Sequence, residues 1–255
     1  MTLTTTFIFG LFFGMLTFLE AGRRLGQRRQ AVDGAAAGAG LGAVDGALFA
    51  LLGLLIAFTF AGAAARFDTR RELIVEEAND IGTAWLRLEL LPDSLQPPLR
   101  EKFRQYLDAR LAAYRAIPDE AKVQAELARA TALQGEIWSL AVAAARQAPG
   151  PAATMLVLPA LNAMIDITTT RTVAARAHPP KVIFGLLAAL ALACSLMAGY
   201  GMGGSPTRSW IHILGFSAVL TITIYVIMDL EYPRLGLIRV DKFDQVLVEV
   251  RASMR

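Results

Sequence analysis

The sequence predicts an all-α polytopic membrane protein with four transmembrane helices and a soluble helical block between the second and third. Three observations predict it. Four apolar stretches, about residues 3–19, 46–65, 182–202 and 210–228, are long enough to cross a hydrocarbon core, which takes roughly 20 residues at 1.5 Å rise each. Residues 66–180 are rich in charge yet place apolar residues at helical spacing. From Leu51 to Leu88 no proline interrupts the passage from the second span into that block, so one helix is expected to leave the membrane and continue. The expected organisation is spans one and two in 1–65, the soluble block in 66–180, spans three and four in 181–230, and an amphipathic tail in 231–255.

The first stretch reads as a span and not a signal peptide, because it lacks a basic start and is followed by Arg23, Arg24, Arg28 and Arg29. The Ala/Gly run at 34–47 predicts a weak helix, each glycine costing about 1 kcal/mol relative to alanine. Small residues there would let helices approach closely. In the block, Phe67, Ile74, Ala78, Ile81, Trp85 and Leu88 form one apolar stripe, with Arg70, Arg71, Glu72, Glu76, Glu77 and Asp80 largely off it. Prolines at 92, 97, 98, 118, 149, 151 and 159 are expected to mark breaks. Between them the pattern predicts helices at Leu99–Arg115, striped by Leu99, Phe103, Tyr106, Leu107 and Leu111, and at Glu120–Arg146. The segment ATMLVLPALNAMIDITTTRT is interrupted by Pro159, Asn162 and Asp166 and reads as a buried or interfacial helix. After the fourth span EYPRLGLIRV reads as extended, and Phe243, Val246, Leu247, Val250 and Met254 share one face of a final short helix.

Composition narrows the function classes. The net charge of +3 is small and the basic residues cluster beside apolar segments, which describes membrane flanks and not a nucleic-acid surface. The single cysteine, Cys194, excludes an intrachain disulfide and a thiol metal site. Nine Lys and Arg near span ends on the side of the block, against five on the other, favour a cytoplasmic block with both termini inside, although RRLGQRR argues the opposite way.

No glycine-rich phosphate loop, nucleophile elbow or paired histidines at metal spacing appears, so neither an enzyme nor a cofactor is expected. His178 and His212 read as a solvated juxtamembrane residue and an interfacial structural one. Glu72, Glu76, Glu77 and Asp80 are the ion-binding candidates, because positions four apart are neighbours on a helix. In a ring of subunits they would concentrate cations, or hold a divalent ion if oxygens from a second helix joined them, with Asp166 the second contributor. The competing reading is that these acids pair with Arg70, Arg71 and Arg171. Leu54, Phe58 and Gly62 line one face of the second span and are the pore-lining candidates, since a ring of such faces makes an apolar constriction.

The string LLGLLIAFTFAGAAARFDTRRELIVEEANDIGTAWLRL resembles the second-helix segment of bacterial bestrophins, which have a similar LLG start and an aromatic–Asp–x–Arg step into a cytosolic helix. With ALNAMIDITTTRT, HPP before the third span and DLEYPRLGLIRV after the fourth, nearly the whole chain also resembles a bacterial membrane family described as bestrophin-like and otherwise of unknown function. The first resemblance implies a pentameric anion channel with four spans per subunit and an apolar neck at Leu54, Phe58 and Gly62. Two departures stand out. Arg71 and Glu72 occupy the place of a tryptophan pair, and Gly62 replaces a bulky neck residue. The leading expectation is an oligomeric channel or pore in a bacterial cytoplasmic membrane, with the lipid bilayer, further copies of the chain and an inorganic ion as partners. The alternative is a non-conducting membrane scaffold or sensor whose helical block binds a partner.

Overall fold

Helical periodicity is realised along almost the whole chain. A computed structural model describes residues 2–33, 41–205 and 207–254, and residues 34–40 of the Ala/Gly run lie outside it. The described residues form eight α-helices and no strand: α1 (Thr2–Asp33), α2 (Leu41–Arg87), α3 (Gln96–Arg115), α4 (Glu120–Gln147), α5 (Ala152–Arg176), α6 (Lys181–Gly201), α7 (Trp210–Glu231) and α8 (Gln245–Ser253). Helical stretches long and apolar enough to cross a membrane lie within Thr4–Val32, Gly42–Leu90, Ala152–Gly204 and Trp210–Glu231. The chain is an all-α, multi-pass membrane protein. As the unbroken 51–88 segment predicts, α2 is one helix of 47 residues, about 70 Å long at 1.5 Å per residue.

The chain divides into two compact units, residues 1–65 with 178–232, and residues 66–177 with 233–255. In the first, α1 runs along α6 and also meets α7. Leu11, Met15, Leu52, Leu187, Ala191, Cys194 and Ile224 form its core. The α1–α6 approach is set by glycine. Gly26 on α1 meets Gly203 just after α6, and a Cβ on Gly22 of α1 or Gly199 of α6 would collide with the backbone carbonyl of Leu196 or Leu19. Two small-xxx-small pairs thus let two backbones touch, the packing that membrane helices use when hydrophobicity cannot drive them together.

In the second unit the stripe of α2 is spent on the core. Ile74, Ala78, Ile81, Trp85 and Leu88 are buried with Leu99, Phe103, Tyr106 and Leu107 of α3, Ile137 and Ala141 of α4, and Val157, Leu161 and Met164 of α5. Asp119 caps α4 by accepting from the Lys122 amide at 3.2 Å. Pro97 and Pro98 sit in the first turn of α3, where a missing N–H costs nothing. The tail also enters this core: Leu247 and Met254 are buried in it, and Val246 and Val250 pack against it. Arg251 grips Asp108 on α3 with two hydrogen bonds of 2.8 and 3.0 Å, and Arg104 donates to the Met254 carbonyl at 3.1 Å.

Two local expectations are corrected. Pro159 does not break its segment but lies inside α5. The helix continues because Val157, Ala160, Leu161 and Met164 are buried on one face, and Arg87 donates to the Leu156 carbonyl at 2.9 Å in the turn that the proline disturbs. The EYPRLGLIRV segment is a turn-rich loop and not an extended strand. Its Val240 amide donates back to the Pro233 carbonyl at 2.9 Å. Arg234 holds the loop folded by reaching Asp241 and Asp244.

Candidate functional site

Helix α2 presents different faces along its length. In the first unit its inward residues are Leu52 and Ala63, both buried, with Phe49 and Ile56 partly so. Leu54 and Phe58 point away from that side and are 53% and 68% exposed, while Gly62 is half-buried at the edge between the faces. Beside the Leu54 and Phe58 face lies a second exposed row, Gly46, Ala50, Gly53, Ala57 and Ala61, spaced three or four apart. A Cβ on Gly46 or Gly53 would meet nothing within 4 Å.

Among the acids, the structure separates one from the rest. Glu72 and Glu76 are exposed and Asp80 is half-buried, all on one face of α2. Asp166 is exposed on α5 and accepts from the Asn162 amide of its own helix at 2.9 Å. Among the described residues no group of three or more His, Cys, Asp or Glu side chains is gathered so as to hold a metal ion. Burial first, then the neighbouring Glu76 charge, holds the Asp80 carboxyl above its ordinary value. The penalty on ionised Asp80 is fully present above that raised pKa and is relieved as pH falls through it. Asp80→Asn is therefore expected to raise the thermal unfolding midpoint near neutral pH, and to lose that advantage at about pH 3, where the wild-type group is protonated in both states.

Glu77 is wholly buried in the second unit. Its Oε1 accepts from Arg110 Nε at 2.7 Å, and its Oε2 accepts from Arg171 and, at 3.3 Å, from the Tyr114 hydroxyl. Arg110 also donates to that hydroxyl. The guanidinium groups of Arg171 and Arg234 each lie 4.6 Å from the Tyr114 ring centre. Arg234 then closes a two-point pair with Asp244 at 2.7 and 2.9 Å and reaches Asp241 at 3.2 Å. Burial lifts the Tyr114 hydroxyl to about 12, so it stays a donor. Burial and then the Arg234 charge lower Arg171 to about 9, so at neutral pH it still pairs as a cation with Glu77. Three guanidinium groups face three carboxylates, and the network ties α2, α3, α5 and the loop after Pro233 to one another. Of the two sequence readings for Glu77, its contacts match pairing with Arg171.

Arg110, Tyr114, Arg234 and Asp244 were not singled out by pattern. One signal was available: Arg110 falls four residues after Tyr106 on the apolar stripe of α3, and a cation on a buried stripe needs a buried partner. Elsewhere, His178 stacks on Tyr232 with ring centres 4.7 Å apart and approaches Glu231 at 3.5 Å. His212 shares a hydrogen bond of 2.5 Å with Ser209 at the start of α7.

The bestrophin-like domain model matches residues 7–243. The chain belongs to the bestrophin-like family. No curated protein and no solved structure matches it. The bestrophin-like region runs from α1 through the loop that carries Arg234 and Asp241, so it contains the outward face of α2 and most of the Glu77 network.

Proposed function

We propose that this bestrophin-like protein is an oligomeric ion channel or pore of a bacterial cytoplasmic membrane, with the outward face of α2 lining the path. One observation carries the reading. The apolar window of α2 is the least enclosed of the four, 11% buried against 22–28% in the others. Its exposed surface divides into a small-residue row, suited to close approach of another helix, and an adjacent bulky row with Leu54 and Phe58, suited to an apolar constriction. Around a ring axis, the first row packs on the neighbouring copy while the second faces the lumen, with Gly62 widening one end. The resemblance to bestrophins favours five copies. In this reading the helical block is cytoplasmic and forms a vestibule, where Glu72, Glu76, Asp80 and Asp166 bias the local ion concentration.

Single-channel recording in planar bilayers tests it. Phe58→Ala is expected to change unitary conductance several-fold, because it removes the largest side chain of the constriction. A Cβ on Gly53 meets nothing within 4 Å, so Gly53→Leu fills the small-residue row from an open position. It is expected to abolish the oligomer on size-exclusion light scattering while the helical circular dichroism is unchanged. A wild-type monomer in mild detergent would sink the proposal, and rings that carry no current would favour a scaffold.

A further inference from the structure

We propose that a cavity at the Arg23 end of α1 binds a phosphate ester anion, supplied in the bilayer by the headgroup of an acidic phospholipid. The cavity has a volume of about 370 Å³, within the roughly 300–1,000 Å³ usual for small-ligand sites. It lies where apolar runs meet polar ones: Arg23 and Arg24 follow the apolar part of α1, and Trp210 opens α7. Tryptophan and arginine at such boundaries mark the headgroup level of a membrane.

Charge in the cavity is unbalanced. Arg23, Arg24 and Arg208 line it together with a single carboxylate, Glu20. Glu20 is already shared between Arg24 Nε at 2.8 Å and Arg208 Nη2 at 3.0 Å. Arg23 is only 6% exposed. It donates to the Ser205 carbonyl at 3.3 Å, and no carboxylate among the described residues comes within ion-pair distance of it. A guanidinium withdrawn from water whose one facing carboxylate, Glu20, lies beyond ion-pair distance and is already shared is costly, and an anion seated beside it lowers that cost. Guanidinium forks match phosphate oxygens in geometry as well as charge.

The rest of the lining selects the source. Leu16, Leu19, Met202 and Ile213 form an apolar wall of the same cavity, suited to the glycerol and first acyl carbons of a lipid, while the Trp210 ring stands 6.0 Å from the Arg208 guanidinium. Inorganic phosphate would use the arginines and leave that wall in water. Basic pockets at the ends of spans hold acidic headgroups by this combination of charge and apolar contact.

The test uses the full chain in mild detergent, with phosphatidylglycerol, phosphatidylcholine and inorganic phosphate as probes and native mass spectrometry as readout. Phosphatidylglycerol is expected to bind at least about tenfold more tightly than phosphatidylcholine. Arg208→Gln, at an exposed side chain, is expected to weaken it about fivefold, the equivalent of roughly 1 kcal/mol per arginine near a membrane surface. Arg23→Gln is expected to weaken it more, while leaving the lipid-free melting temperature unlowered, because it removes a buried charge that has no direct ion-pair partner among the described residues. Equal binding of both lipids, or phosphatidylglycerol binding indifferent to both substitutions, overturns the proposal. Phosphate binding as tight as phosphatidylglycerol and equally sensitive to Arg23→Gln overturns the lipid assignment and gives the cavity to free phosphate.

Discussion

Glu77→Gln is expected to lower the stability of the folded chain by about 3–5 kcal/mol, the usual cost of removing one partner from a buried ion pair. The wild-type carboxylate accepts from Arg110, Arg171 and Tyr114 at once. An amide of the same shape keeps one acceptor oxygen, turns an N–H₂ donor toward either Arg110 or the Arg171 and Tyr114 side, and leaves both buried guanidinium groups without the Glu77 charge. Thermal or denaturant unfolding in detergent measures the effect. The neighbouring acid supplies the control: Glu72 is exposed, so Glu72→Gln is expected to stay within about 0.5 kcal/mol of wild type. Equal effects at the two positions would show that Glu77 is solvated and that the network is not a buried one. Because the network joins α2 to α3, α5 and the loop after Pro233, its loss is also expected to raise amide hydrogen exchange in all four segments together.

The second large effect is expected at the α1–α6 crossing. Gly199→Leu places a branched side chain where a Cβ alone already collides with the Leu19 carbonyl. That atom belongs to a helix backbone, so relief requires the helices to separate, and overpacking of this kind costs typically about 1–3 kcal/mol and sometimes more. Gly22→Leu, which meets the Leu196 carbonyl from the other side, is expected to act alike, and the two are expected to be non-additive because either one opens the same crossing. Gly10 lies on α1 as well, yet a Cβ there meets nothing within 4 Å. Gly10→Ala is therefore expected to be neutral or slightly stabilising in the same unfolding assay. A Gly199→Leu protein as stable as wild type would mean that α1 and α6 do not cross so closely.

Much of the architecture was legible because burial follows period. The spacing of Ile74, Ala78, Ile81, Trp85 and Leu88 identified the face that α2 turns to the core. The Leu99, Phe103, Tyr106 and Leu107 stripe did the same for α3. Pro159 misled because a local breaker was weighed without the packing and the Arg87 hydrogen bond that hold α5 through it. The loop after Glu231 misled for a related reason: EYPRLGLIRV carries little periodicity, and its course is decided by Arg234 meeting Asp241 and Asp244 farther along the chain. The acids of α2 looked equivalent in sequence. Glu77 differs from Glu72 and Glu76 only in facing Arg110 and Arg171, which lie 33 and 94 residues away.

By itself the sequence determined the helical class, the four apolar stretches, the unbroken passage along α2 and the faces that seek burial, because these follow from local period and hydrophobicity. Only the tertiary structure decided which glycines become contacts, which carboxylate becomes a buried counter-ion, and where arginines converge on a cavity. Those outcomes depend on which distant segment arrives opposite each face, and a side chain acquires its charge partner, its dielectric and its closest neighbour only from that arrival.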